Sequence, residues 1–122
     1  MNMLSLFVFP FICKGKGEGD SSYYSLLIHT PNNEAAEIAE IVGPFSDESE
    51  LLYNTWLEIN FWISSGIIKK SKGDLLRLSF SPPTDYSLHC ALFFDLPIAE
   101  ILPLETQNLA DMRDAVSGLL AA

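Results

Sequence analysis

The run from Ser46 to Gly66, SDESELLYNTWLEINFWISSG, holds both tryptophans and the densest cluster of large apolar side chains in a chain of 122 residues. Whatever the fold, the remaining segments must pack around it. Ser46 or Asp47 supplies a side-chain oxygen for the orphan amides of a first helical turn, Glu48 and Glu50 suit the positive end of the helix dipole, and Gly66 stops the run. The spacing predicts a helix with both ends marked. At ~100° per residue, Leu52, Trp56, Ile59 and Ile63 fall in one stripe, the pattern of a face laid against a sheet. Leu57 and Phe61 fall near the opposite side with Tyr53 between the two, and Leu51 and Trp62 occupy the other flank. A helix apolar on more than one side is either covered twice within its own domain or offers its second side to another chain.

The segments on either side supply strands. Met3 to Cys13 is nearly all apolar and ends at the turn-forming KGKGEGD, so it reads as a first strand that Pro10 bends or places at an edge. Its continuous apolarity implies cover on both faces or a place at a subunit contact. Ser22 to Thr30 is a second strand, and the short loop between the two fits an antiparallel hairpin. In NNEAAEIAEIVGP, Asn32 or Asn33 can cap and Ala35, Ile38, Ala39 and Val42 follow helical spacing, which predicts a short helix over 33–42 ended by Gly43-Pro44. The rival reading makes Glu37 to Phe45 a third strand feeding the central helix.

After the basic turn IIKKSKG, Asp74 to Ser81 and Ser87 to Asp95 read as a second hairpin broken at Pro82-Pro83. Pro97 and Pro103 bracket a connection, and Thr106 caps a last helix with Leu109, Met112, Val116 and Leu119 on one side. The expected fold class is α+β. One domain spans residues 1–122, with an antiparallel sheet of two hairpins packed against a central and a C-terminal helix.

A hydrophobic fraction of 48% suffices for one core, and a net charge of −9 keeps the chain soluble and repels phosphate backbones. Direct nucleic-acid binding is not expected. The charge is uneven: Pro31 to Asn60 carries Glu34, Glu37, Glu40, Asp47, Glu48, Glu50 and Glu58 with no lysine or arginine, whereas Lys69, Lys70, Lys72 and Arg77 cluster elsewhere. The acidic run is either a solvated face or a surface that steers a basic partner.

Chemistry is sparse. Cys13 and Cys90 make no disulfide framework and suit a reducing compartment. The opening MNMLSLFVFPFIC lacks a basic leader and is too short to span a bilayer, so the expected setting is cytoplasmic, with no membrane partner. His29, His89, Cys13 and Cys90 are the chain's histidines and thiols, and adjacent strand residues such as His89 and Cys90 face opposite ways, so no metal site or cofactor is expected. The loop Gly15-Lys16-Gly17-Glu18-Gly19 matches no nucleotide fingerprint, and carboxylate pairs such as Glu37 with Glu40 or Asp111 with Asp114 lie on presumed solvated faces.

What remains is aromatic surface beside acidic charge, with Tyr23, Tyr24, Tyr53, Tyr86 and Trp62 as candidate anchors. The leading expectation is a small acidic non-enzymatic protein-binding protein that occupies a partner's surface, as an inhibitor, an immunity-type neutraliser or a dedicated chaperone would. Its candidate partner-binding residues are Tyr53, Leu57, Glu58, Phe61, Trp62, Glu37, Glu40, Glu48 and Glu50, with a homodimer as one form of partnership. The alternatives are an enzyme with a pocket built from His29, Cys90 and Asp95, and a structural subunit whose first strand completes another chain's sheet. With Glu37 to Phe45 as a strand, the order becomes three strands, helix, two strands, helix. That order resembles the small acidic chaperones of type III secretion without their first helix, and the resemblance implies a dimeric, effector-binding habit.

Overall fold

In a computed structural model that describes residues 3–15, 21–30, 38–69, 73–80 and 101–121, a nearly all-apolar strand occupies the middle of the sheet. This is β1 (Met3–Lys14), followed by β2 (Ser21–Thr30), β3 (Ile38–Phe45), α1 (Glu48–Ser64), β4 (Leu75–Ser79), β5 (Ile101–Pro103) and α2 (Gln107–Ala121). The strands run β3-β2-β1-β4, and β5 pairs with the far end of β1. The fold is α+β, with α1 and α2 sharing one core cluster with the sheet.

Because side chains alternate along a strand, β1 serves two cores at once. Leu6 and Val8 point toward the helices and join Leu27, Leu51, Ile59, Trp62, Met112 and Val116. Phe9, Phe11 and Cys13 point the other way, into a second buried cluster with Leu26 and Ile28. There Phe11 stacks between Phe9 and Tyr24, with ring centroids 5.5 and 5.6 Å apart. Cover on both faces is one of the two readings that its sequence allows, and side chains on both faces of β1 are buried.

β1 is central rather than an edge, which corrects the place expected for Pro10. Residues 5–14 pair antiparallel with β2 on one side; on the other, Met3 to Phe7 pair parallel with β4 and Phe11 to Cys13 antiparallel with β5. Pro10 falls between the ends of those two partners, and its carbonyl accepts from Leu104 N at 3.0 Å. Its nitrogen faces the same gap, so the missing N–H removes no ladder bond. The flanked strand also leaves no free edge over 3–7 or 11–13 for another chain's sheet, contrary to the structural-subunit reading. The β1–β4 pair is parallel, so the sheet is mixed rather than wholly antiparallel. Ile101 to Pro103, expected as connection, forms β5. The expected strand at Ser87 to Asp95 lies outside the described residues.

Residues 38–45 are strand, and the helix expected over 33–42 does not form in its described part. By alternation Ile38, Glu40 and Val42 face α1 while Ala39 and Ile41 face the second cluster, so a charged residue sits on the helix side and blurs the strand pattern. One extra residue then enters β3, because Ser25 pairs with Val42 but Tyr23 pairs with Phe45. This bulge lets both Val42 and Phe45 pack on the helix-side core, although an unbroken strand would turn one of them away. Gly43 sits at the bulge with φ +135°, and a Cβ there would lie 2.7 Å from both the Tyr23 carbonyl oxygen and Tyr24 Cδ1.

The chain then enters α1 through Asp47, whose carboxylate accepts from Glu50 N at 2.8 Å. At the other end Gly66, with φ +81°, carries the chain away. The buried face comprises Leu51, Leu52, Thr55, Ile59 and Trp62, roughly 60° round the cylinder from the stripe read off the sequence. Trp56 and Ile63 become the margin of the core. Thr55 lies at the centre of the true face, its hydroxyl oxygen 2.7 Å from both the Leu51 carbonyl and Ser25 Oγ. Donating to the carbonyl and accepting from the serine satisfies both buried hydroxyls. α2 starts where expected, with Thr106 Oγ1 accepting from Asn108 N at 2.9 Å and Met112 and Val116 buried.

Candidate interaction surface on helix α1

Turning the helix so that Thr55 faces the sheet leaves Tyr53, Leu57 and Phe61 pointing to solvent, with 63%, 45% and 57% of their surfaces exposed. Spaced four residues apart, they form a single ridge along the cylinder. The amides beside it fold down: Asn54 Nδ2 donates to the Glu50 carbonyl and Asn60 Nδ2 to the Trp56 carbonyl, each at 2.8 Å. Neither side chain is left to lean over the ridge. On one side the next row is Glu50, Asn54 and Glu58; on the other it is Trp56, Asn60 and Ser64.

Trp62 does not belong to this surface. It is 1% exposed, and its indole N–H donates to Glu40 Oε2 at 3.0 Å, which ties α1 to β3. Its assignment as a partner anchor is therefore corrected: the ring fills the core, and its one polar atom is already used. Tyr23 and Tyr24 are packing residues as well, in the helix-side and second clusters respectively. Glu37 and Tyr86 lie outside the described residues.

The Trp62 contact brings Glu40 beside Glu58, a pair that no sequence spacing announces because it joins a strand to a helix. Burial, a hydrogen bond that protonated Glu58 donates to Glu40 and the repulsion of the Glu40 charge together hold the Glu58 carboxyl above its ordinary 4.5, while a hydrogen bond from Trp62 pulls the other way. Glu48 sits on the opposite flank, where Asn108 Nδ2 reaches its Oε1 at 3.4 Å, and so links the helices instead of the ridge. Glu50 is exposed beside the ridge, with Ser46 Oγ 3.4 Å from its carboxylate.

The charged residues of β3 and α1 are all acidic. The described cations are Lys14, Lys69, Arg77 and Arg113, and none lies on β3 or α1. Arg113 is engaged elsewhere, its guanidinium 5.0 Å above the Phe80 ring.

Comparison with protein-family models, curated proteins and solved structures finds no match. The likeness to type III secretion chaperones thus rests on element order alone.

Of the residues suspected of catalysis, His29 lies among the described residues. His29 is 1% exposed inside the sheet, and its Nδ1 lies 3.2 Å from the Ser5 carbonyl, a geometry for a neutral ring donating to backbone. Burial holds its pKa below the ordinary 6.5, against a smaller upward pull from that bond. Cys90 and Asp95 lie outside the described residues. Cys13 is buried in the second cluster, and no group of three or more histidine, cysteine or acidic side chains suited to a metal occurs among the described residues. No helix among them is long and apolar enough to cross a membrane.

Proposed function

We propose that this chain is a small acidic protein-binding protein, not an enzyme, that acts by occupying a partner's surface as an inhibitor, an immunity-type neutraliser or a dedicated chaperone. The observation that carries the reading is the bare Tyr53–Leu57–Phe61 ridge on a helix whose remaining apolar residues are committed to the core. Three large side chains aligned in solvent lower solubility without adding stability, unless another surface covers them. The uniformly acidic surroundings keep the free protein dispersed and speed encounter with a partner of opposite charge. A reducing cytoplasmic setting fits the buried Cys13 thiol.

The test replaces Leu57 and Phe61 with serine in the full chain and compares capture of proteins from a native lysate. Wild type should retain a specific protein that the double variant loses, while both give the same circular dichroism. A wild-type protein that sediments as a strict monomer and retains nothing would end the proposal.

A further inference from the structure

We infer that the occupant of the α1 ridge is an amphipathic helix of a partner protein, with lysine or arginine along one border of its apolar stripe. This rests on the protein-binding reading and names the partner's chemistry.

The shape argues for a helix. Residues at i, i+4 and i+8 make a convex ridge with a groove on each side, and a second helix packs by setting its own ridges into such grooves. The flat amides of Asn54 and Asn60 leave both grooves open. The charge then fixes the partner's asymmetry. One border of the ridge carries Glu50 and Glu58 with Glu40 behind them; the other, Trp56, Asn60 and Ser64, carries no charge. With no lysine or arginine on β3 or α1, the acidic border has no cation on its own helix or on the strand that carries Glu40. A guanidinium or ammonium placed there would meet Glu40 and Glu58 together, two carboxyls held side by side where α1 crosses β3.

A second copy packed antiparallel fits less well. A two-fold axis between antiparallel helices sets each row against the same row of its mate, so Glu50 and Glu58 would meet glutamates in an assembly of two chains each of net charge −9.

The probe is a leucine-lysine peptide helix with lysines along one border of its leucine stripe, titrated calorimetrically into the full chain beside a version with every lysine changed to glutamine. The lysine peptide should bind about tenfold more tightly than the glutamine peptide, the difference shrinking with salt. In the Glu50→Gln/Glu58→Gln variant most of that difference should vanish, and Leu57→Ser/Phe61→Ser should bind neither peptide.

Equal binding of the two peptides would overturn the charge assignment yet leave the ridge a docking site. Undiminished binding of the lysine peptide by the ridge variant would reduce it to unspecific attraction. Failure of both peptides to bind, or a wild-type dimer that Leu57→Ser/Phe61→Ser dissociates, would remove the cationic helix as occupant, and the lysate capture would still judge protein binding separately.

Discussion

Two titratable residues of the helix-side structure pull stability in opposite directions with pH. His29 is enclosed between β1 and β2 with its ring neutral, and its folded pKa lies below the 6.5 it returns to on unfolding. Its contribution is complete above 6.5 and is lost as pH falls toward the folded value, because the unfolded chain then binds the extra proton. Glu58 behaves in the reverse sense. Its folded pKa is raised, so its contribution is complete below 4.5 and is lost as pH climbs through the folded value, where Glu40 and Glu58 come to repel each other. Glu58→Gln should therefore raise stability at pH 7, by a few tenths of a kcal/mol given how open to solvent the pair is. It should also steepen the decline below pH 6.5, since the opposing gain is removed. Urea midpoints of both proteins from pH 5 to 8 check this; an unchanged midpoint at pH 7 with parallel pH profiles would show that the two carboxyls do not interact.

At the scale of elements, local signals were readable and the long-range ones were not. The Asp47 cap, the Gly66 stop and the Thr106 cap act within a few residues of themselves, so both helices began, and α1 ended, where the sequence indicated. The face that α1 buries depends on Ser25, thirty residues away, whose hydroxyl makes a polar Thr55 acceptable at the centre of the core. Hydrophobic spacing alone passes over a threonine, and so it misplaced the stripe. β3 was ambiguous for the same reason, because Glu40 lies on the helix side and finds Trp62 there. The parallel pairing of β1 with β4 is likewise set by packing at long sequence separation. What holds β3 in its bulged form is Gly43, where any side chain would meet the Tyr23 backbone in a conformation that L residues rarely adopt. Gly43→Ala should cost on the order of 2–3 kcal/mol. Part of that loss should come from the Val42 and Phe45 contacts, which both require the extra residue. An unfolding free energy from urea titration within about 0.5 kcal/mol of wild type would mean that the bulge is not part of the folded chain in solution.

For the whole molecule, α1 divides its apolar residues between holding the fold together and presenting a surface, and adjacent positions fall on opposite sides of that division. Trp62 is sealed against the sheet, whereas Phe61, one residue earlier, keeps more than half its area in water. The sequence shows both as large aromatics in one helix, and their separate roles depend on where β2, β3 and α2 lie. Under this division, truncating the ridge costs the isolated protein almost nothing: Leu57→Ser/Phe61→Ser should stay within about 0.5 kcal/mol of wild type. Trp62→Ala, which empties the core and leaves Glu40 without its indole donor, should lose about 3–5 kcal/mol. Urea unfolding at several protein concentrations measures both, and equal m-values confirm that the same surface is exposed in each case. A ridge variant that loses as much as a core truncation, with a midpoint that depends on concentration in the wild type alone, would place Leu57 and Phe61 in a buried interface between copies. A loss that does not depend on concentration would place them in the core of the single chain. The ridge acts as a docking surface for a different protein only if its removal leaves the folded monomer as stable as before.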